Sequence, residues 1–324
     1  MKKNAEIIRT RLIKILADGQ FHSGENLGKV VGVTRSAIAN HMKNLLKLGV
    51  DVFSVKGRGY KLSSPLNMLD ENLILSLSKT LHKGELHVAN IIASTNDYVK
   101  TRLPDVAQGF SCTAEAQTKG RGRRGRTWIS PYGASVYLSM GWRFSGGYQS
   151  MAGLSLLVGI AINRCLQKMK INDAKLKWPN DVYVQGKKLS GILIEVEGQV
   201  GADTFAVIGI GINVCLPQDL EGIDQPFIDL QTVCAQTIDR NLLIARVIDQ
   251  LREMLLEFEQ HGLKPFMQEW QSADLFYDKP IKLIAGNNQI TGISKGINDT
   301  GALMLETNGH ITAHYGGEIS VRAL

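Results

Sequence analysis

The hydrophobic pattern divides the chain into three stretches with different periods. Within residues 5–18, Ile8, Leu12, Ile15 and Leu16 fall on one helical face, and Gly19 stops the run. Ser23 is placed to cap a short second helix carrying Leu27, Val30 and Val31. Gly32 supplies a turn, and Thr34 can cap a third helix over 35–48 with Ile38, Met42 and Leu45 facing inward. Residues 52–55 and 60–62 then flank Lys56-Gly57-Arg58-Gly59 and predict a β-hairpin, the wing of a winged helix-turn-helix.

Ser63-Ser64-Pro65 reads as a linker. Beyond it, strands are expected at Leu86–Ile92, Phe110–Ala116, Lys188–Glu195 and Phe205–Val214. Ser135–Trp142 alternates, with Val136, Leu138 and Met140 on one face and Tyr137 and Ser139 on the other. Met151–Met169 predicts a buried helix, and Asp239 can cap another that runs to His261 with Leu243, Val247, Leu251, Leu255 and Phe258 inward. From Lys279 on, short apolar runs alternate with Gly-Asn-Asn, Asn-Asp-Thr-Gly and Thr-Asn-Gly turns. Five strands of four to six residues there describe a small SH3-like barrel. The class is α+β.

Length and charge sharpen this picture. A chain of 324 residues is too long for one core and suits two or three domains. No run of about 18 apolar residues occurs, so no membrane segment is expected, and the Lys-rich start lacks the apolar region of a signal peptide. Cys112, Cys165, Cys215 and Cys234 have no C-x-x-C spacing, which argues against zinc or disulfides and for reduced thiols in a cytoplasmic protein. Residues 1–61 hold twelve Lys/Arg against four Asp/Glu, a balance of +8, whereas the whole chain carries +7. The basic excess therefore sits at the N-terminus, which points to nucleic acid there. Thr34, Arg35, Ser36, Asn40 and Lys43 face outward near the start of the third helix, with Lys56 and Arg58 on the wing tip. These side chains equip a major-groove recognition helix. The alternative is a three-helix protein-binding module.

The chemistry concentrates in Thr113–Trp128. Lys119–Arg126 carries five cations and three glycines, a composition expected to need a polyanion and to be mobile without one. Gly120, Gly122 and Gly125 fit G-x-G-x-x-G and nearly fit a phosphate loop, but no helix follows, so both assignments fail. A strand–loop–strand anion clamp remains, against the alternative of a solvated Arg-Gly tract. Ser94-Thr95-Asn96 could cap a helix or bind a polar ring. In Lys177-Trp178-Pro179-Asn180-Asp181, Pro179 is expected to leave Asn180 and Asp181 at an exposed turn, where Asp181 could hold Mg²⁺ or orient an amine. Lys188 at a strand start could reach a phosphate. Gly209 and Gly211 in the Phe205–Val214 run permit close approach of a ligand or backbone.

The run Glu-x-Gln-Thr-x-Gly-Arg-Gly-Arg-x-Gly-Arg-x-Trp over 115–128 resembles that of the biotin protein ligases. So do Ser94-Thr95-Asn96, Lys177-Trp178-Pro179-Asn180-Asp181, Lys188-Leu189-Ser190-Gly191-Ile192-Leu193 and the ending Gly317-Glu318-Ile319-Ser320-Val321-Arg322. With the winged helix, the resemblance is closest to bifunctional ligases that also repress a biotin operon. It implies a winged helix-turn-helix over 1–63, a mixed-sheet biotin/ATP domain over 66–272 and an SH3-like domain over 273–324. It also implies biotin, ATP and Mg²⁺ as ligands, a biotin carboxyl carrier protein and operator DNA as partners, and a homodimer when the adenylate is bound. The residues it assigns to biotin are Ser94, Thr95, Asn96, Gln117, Arg121, Gly122, Arg123 and Lys188. Nucleotide falls to Arg121, Arg123, Trp128, Lys177, Asn180 and Lys188, and catalysis to Lys188, Arg121, Arg123 and Asp181. Ala93 stands where the family often has Asp. The alternatives are a lipoate-type ligase and a ligand-sensing transcription factor without ligase activity.

Overall fold

A computed structural model describes residues 2–63, 65–103, 105–198, 204–217, 220–234, 236–317 and 319–324. Ser64 of the linker and Glu318 of the C-terminal motif lie outside these. Helices α1 (Lys2–Leu16), α2 (Gly24–Val31) and α3 (Arg35–Lys47) are followed by the hairpin β1 (Val52–Val55) and β2 (Gly59–Leu62). The caps are those the sequence predicts: Ser23 Oγ accepts from Asn26 N and Thr34 Oγ1 from Ala37 N. Leu12, Leu16, Leu27, Ile38 and Leu45 form a sealed core, joined by Ile13. Val30 departs from expectation: it is 50% exposed, because α2 is only eight residues long and buries the face of Leu27 and Val31.

Next come α4 (Glu71–Leu77), β3 (Leu86–Ile92), α5 (Thr95–Lys100), β4 (Ser111–Gln117), β5 (Ser135–Phe144) and α6 (Leu154–Lys168). They are followed by β6 (Lys175–Lys177), β7 (Asp181–Val184), β8 (Lys187–Glu197), β9 (Thr204–Asn213), α7 (Leu230–Cys234), α8 (Arg240–His261) and α9 (Met267–Ala273). The seven strands form one mixed sheet in the order β3-β4-β5-β9-β8-β7-β6, parallel at β3–β4 and otherwise antiparallel. Register separates its two faces. Val136, Leu138, Met140, Ile192, Ile208 and Ile210 share the side covered by α6 and α8 and make the main core. The opposite side carries Tyr137, Ser139, Gly191, Gly209 and Gly211, a small-residue surface with room above it. The segment Tyr148–Lys168 has the length and apolarity of a membrane span, but 67% of its apolar window is buried inside the fold, as in a core helix.

The C-terminal strands β10 (Pro280–Ala285), β11 (Asn288–Ile297), β12 (Leu303–Thr307), β13 (His310–His314) and β14 (Ile319–Ala323) form an antiparallel sheet in the order β13-β12-β11-β10-β14. β11 is longer than the four to six residues expected, and its pairing with β12 carries an irregularity between Ser294 and Ile297.

Residues 67–70, just after the linker, are tied into the central domain. Leu69 N donates to Glu115 Oε1 at 2.6 Å, and Asp70 N to Asn241 Oδ1 at 2.8 Å. Arg240 N donates to Asn67 Oδ1 at 2.8 Å, and the Arg240 guanidinium bonds Asn67 O and pairs with Glu115 at 2.6 Å. That ion pair is sealed, with side-chain exposures of 1% and 3%. On the other side, Leu66 N donates to Ala17 O at 3.1 Å, and Tyr132 and Ala116 enter the core of the N-terminal helices.

Candidate functional site

Ser94, Thr95, Asn96, Gln117, Arg121, Gly122, Arg123, Trp128, Lys177, Asn180, Asp181 and Lys188, expected to act together, all line one cavity of about 350 Å³. Ile319 and Arg322 of the C-terminal sheet line it as well. Its floor is the small-residue face of the sheet. A Cβ at Gly209 would lie 2.4 Å from Asn96 Oδ1, and one at Gly211 would lie 2.5 Å from the Trp128 ring. The approach for which these glycines make room is thus that of side chains, which lie flat on the sheet. Gly211→Ala should overpack this contact, lower stability by about 1–3 kcal/mol and red-shift tryptophan emission as Trp128 lifts into water. An unshifted spectrum with unchanged stability would show that the ring does not rest there.

A polar network runs beneath the cavity. Ser94 caps α5, its Oγ accepting from Asp97 N, so the capping reading of the triplet holds for this residue. Thr95 N donates to Gln117 Oε1 at 2.9 Å, and Gln117 Nε2 to Ser130 Oγ at 3.2 Å. Ser139 Oγ lies 2.7 Å from Thr95 Oγ1 and 2.6 Å from Asn96 Oδ1. Asn96 Nδ2 donates to Glu195 Oε2 at 2.6 Å.

Two cations of the basic loop are met by groups of the chain itself. Arg121 donates to both oxygens of Asp97, at 2.7 and 2.8 Å, and to Glu195 at 3.0 and 3.1 Å. The Arg121 hydrogen bonds hold the Asp97 carboxyl below its ordinary range. Arg123 donates to Asn180 Oδ1 at 3.0 Å and to the carbonyls of Gly316 and Gly317, both at 2.6 Å. Gly122 N and Trp128 N donate within the loop, to Arg126 O and Gly120 O. The expectation that these five cations need an external polyanion therefore fails for Arg121, whose charge is met on two sides.

The expected turn is present over 178–180, but neither Asn180 nor Asp181 is exposed. Asp181 opens β7, is 16% exposed at its side chain and pairs with Lys188 Nζ at 2.7 Å. Lys188 reaches it through a β-bulge. Val182 pairs with Ser190 but Tyr183 pairs with Lys188, so Leu189 is the extra residue. The phase slips there, Leu189 enters the core, and Lys188 comes to the cavity side, 5.6 Å from the Trp128 ring centroid. Lys177 is buried beside Tyr183, its Nζ 3.1 Å from the phenol oxygen. Burial, then Arg322, pulls its pKa down to about 8, against the opposing pull of Asp181. Among the described residues no group of three or more His, Cys, Asp or Glu side chains could hold a metal.

Sequence reasoning missed Asp97, Glu195 and Ser139. Of these, Asp97 and Glu195 carry no local signal, while the alternation of β5 puts Ser139 on the correct face. Far from the cavity, Arg35, Ser36, Asn40, Lys43, Lys56 and Arg58 are all exposed on the N-terminal domain, as is Thr34, whose hydroxyl is engaged as a cap.

Three family descriptions match the chain. They are an HTH domain over residues 9–61, the biotin/lipoate A/B protein ligase family over 88–213 and the biotin protein ligase C-terminal domain over 276–322. The bifunctional ligase/repressor BirA of Salmonella typhimurium is 46% identical over 96% of this chain and 97% of its own length. That of Escherichia coli is 44% identical over 100% and 99%. The biotin protein ligase from Aquifex aeolicus, solved in complex with biotin and ATP, is 30% identical, with a TM-score of 0.66 over 74% of this chain and 99% of that one.

Proposed function

Because the chain belongs to the bifunctional ligase/repressor family of biotin protein ligases, we propose that its cavity makes biotinyl-5′-AMP and passes biotin to a carrier-protein lysine. It is a biotin–protein ligase that uses ATP, and its helix-turn-helix domain is that of a DNA-binding repressor. The observation that carries the finer reading is the convergence of the triplet, the basic loop and Lys188 on one cavity. A biotin carboxylate oxygen attacks the α-phosphorus of ATP and pyrophosphate leaves. The ε-amine of a lysine on the biotin carboxyl carrier protein then attacks the anhydride carbonyl, forming the amide and releasing AMP.

The chain's residues work by position and charge. The triplet and Gln117 hold the ureido ring, and Trp128 covers the valeryl chain. Lys188 and Arg123 face the carboxylate and α-phosphate, with Lys177 and Asn180 on the nucleotide side. Mg²⁺ arriving with ATP needs only one or two carboxylates beside the phosphates. Asp181, the carboxylate paired with Lys188, fits that role. When the adenylate is bound, two copies pair and set two winged helices on operator DNA. ATP–pyrophosphate exchange should depend on biotin and not lipoate, and label should pass to a carrier domain. Lipoate dependence would select the lipoate-ligase reading, and absence of exchange the reading as a transcription factor alone.

Lys177 adds a pH signature. Its pKa of about 8 means that the ammonium is half lost at pH 8, while a bound phosphate favours the charged form. The charged groups around it are Arg322, Asp181 and Lys188, with Tyr183 pushed up to about 12 by burial. ATP binding then takes up a proton, and affinity should fall about tenfold from pH 7 to pH 9. Lys177→Met should flatten the profile, and a flat wild-type profile would remove Lys177 from nucleotide binding.

A further inference from the structure

We infer that Asp97 and Glu195 are positioning residues of the ligase reaction, holding Arg121 as a strut that keeps the basic loop closed over the cavity. The inference rests on the ligase reading but concerns residues to which that reading gives no part. Arg121 lies four residues beyond the end of β4, inside the loop, and it is grasped from two directions. Asp97 of α5 takes it in a two-pronged contact at 2.7 and 2.8 Å, and Glu195 of β8 takes it at 3.0 and 3.1 Å. Two carboxylates on one guanidinium leave it little attraction for a third. The substrate carboxylate is thereby spared a competing ion pair and stays free to attack phosphorus, while Arg123 and Lys188 face the anions.

Glu195 has a second task. By accepting from Asn96 Nδ2 at 2.6 Å it fixes which way that amide points. Asn96 Oδ1 must then accept the proton of Ser139 Oγ, 2.6 Å away. Thr95 Oγ1 gives its own proton to Gln117 Oε1 at 3.1 Å, so at the 2.7 Å contact it is an acceptor of the Ser139 proton that Asn96 Oδ1 shares. One carboxylate thus sets the donor and acceptor sense of the network under the ligand's polar ring.

The test compares Asp97→Asn, Glu195→Gln and the double variant with wild type in the full chain. Asp97 is 44% exposed, so its variant folds even if Glu195→Gln does not. In the double variant the biotin KM of adenylation should rise about tenfold, more than kcat falls, as expected for loss of charged contacts at a partly exposed site. Asp97→Asn alone should raise it about threefold. Tryptic cleavage within 119–126 of the ligand-free protein should quicken in each variant, and Asp97→Glu, which can still reach Arg121, should restore protection. Unchanged KM and unchanged cleavage would overturn the strut. So would a lower KM, which would make the freed Arg121 a ligand of the substrate itself. If wild type lacks biotin-dependent exchange, the ligase reading fails while cleavage still reports on the strut.

Discussion

Lys188→Met should slow formation of biotinyl-AMP by about 10²-fold or more, the scale of losing one charge contact in a transition state. Lys188 is the cation that the bulge at Leu189 aims into the cavity, and its side chain is only 13% exposed. A charge so shielded from water is worth more against a developing negative charge than one on the surface. The substitution also strips Asp181 of its partner, which costs stability by itself. The melting temperature of Lys188→Met/Asp181→Asn isolates the stability cost and should recover. The single-turnover rate is read on Lys188→Met alone, well below its melting temperature and at saturating biotin and ATP, and should stay low. A rate within a fewfold of wild type in Lys188→Met would remove this lysine from the chemistry.

The second large effect is on DNA. A fragment of residues 64–324 should lose specific operator binding by about 10³-fold or more, the usual gap between specific and non-specific affinity. All the outward polar and cationic side chains of α3 and the wing go with the deleted part. The fragment should keep adenylation but hold the adenylate less well. Deletion bares Tyr132, which is 3% exposed in the intact chain and sits two residues from the Ser130 that anchors Gln117. Gel-shift titration beside a single-turnover assay reads both. Operator binding equal to that of the full chain would sink the winged-helix assignment.

Much of this was legible in the sequence because the signals are local. Alternation in Ser135–Phe144 gave the right two faces, and Asp239 caps α8 as its position predicted. The motif residues meet in one cavity because they stand at strand ends, on the open face of the sheet or on the loop between β4 and β5. What escaped reading depends on distance along the chain. Asp97 and Glu195 lie 24 and 74 residues from Arg121 and look like ordinary surface charges. Hence the loop's charge balance could not be drawn up from the loop alone. The bulge at Leu189 was invisible because Lys-Leu-Ser-Gly-Ile-Leu reads as unbroken strand, and only pairing with β7 reveals the slip. Arg240 reads as the first residue of a helix, yet its guanidinium is sealed against Glu115 on β4.

Residues 66–70 make a splint of what would otherwise be a tether. With a free linker, each winged helix would wander relative to the ligase body, and gripping two half-sites would freeze that motion at the moment of contact, at a cost to affinity. Here Leu66 is fastened to Ala17 at the end of α1, and Asn67 to Asp70 are fastened to Arg240, Asn241 and Glu115. Folding has already removed the freedom. In the dimer proposed above, the spacing and tilt of the two reading heads are written into each protomer, so half-site separation would be a property of the ligase domain as much as of the helices that touch the bases.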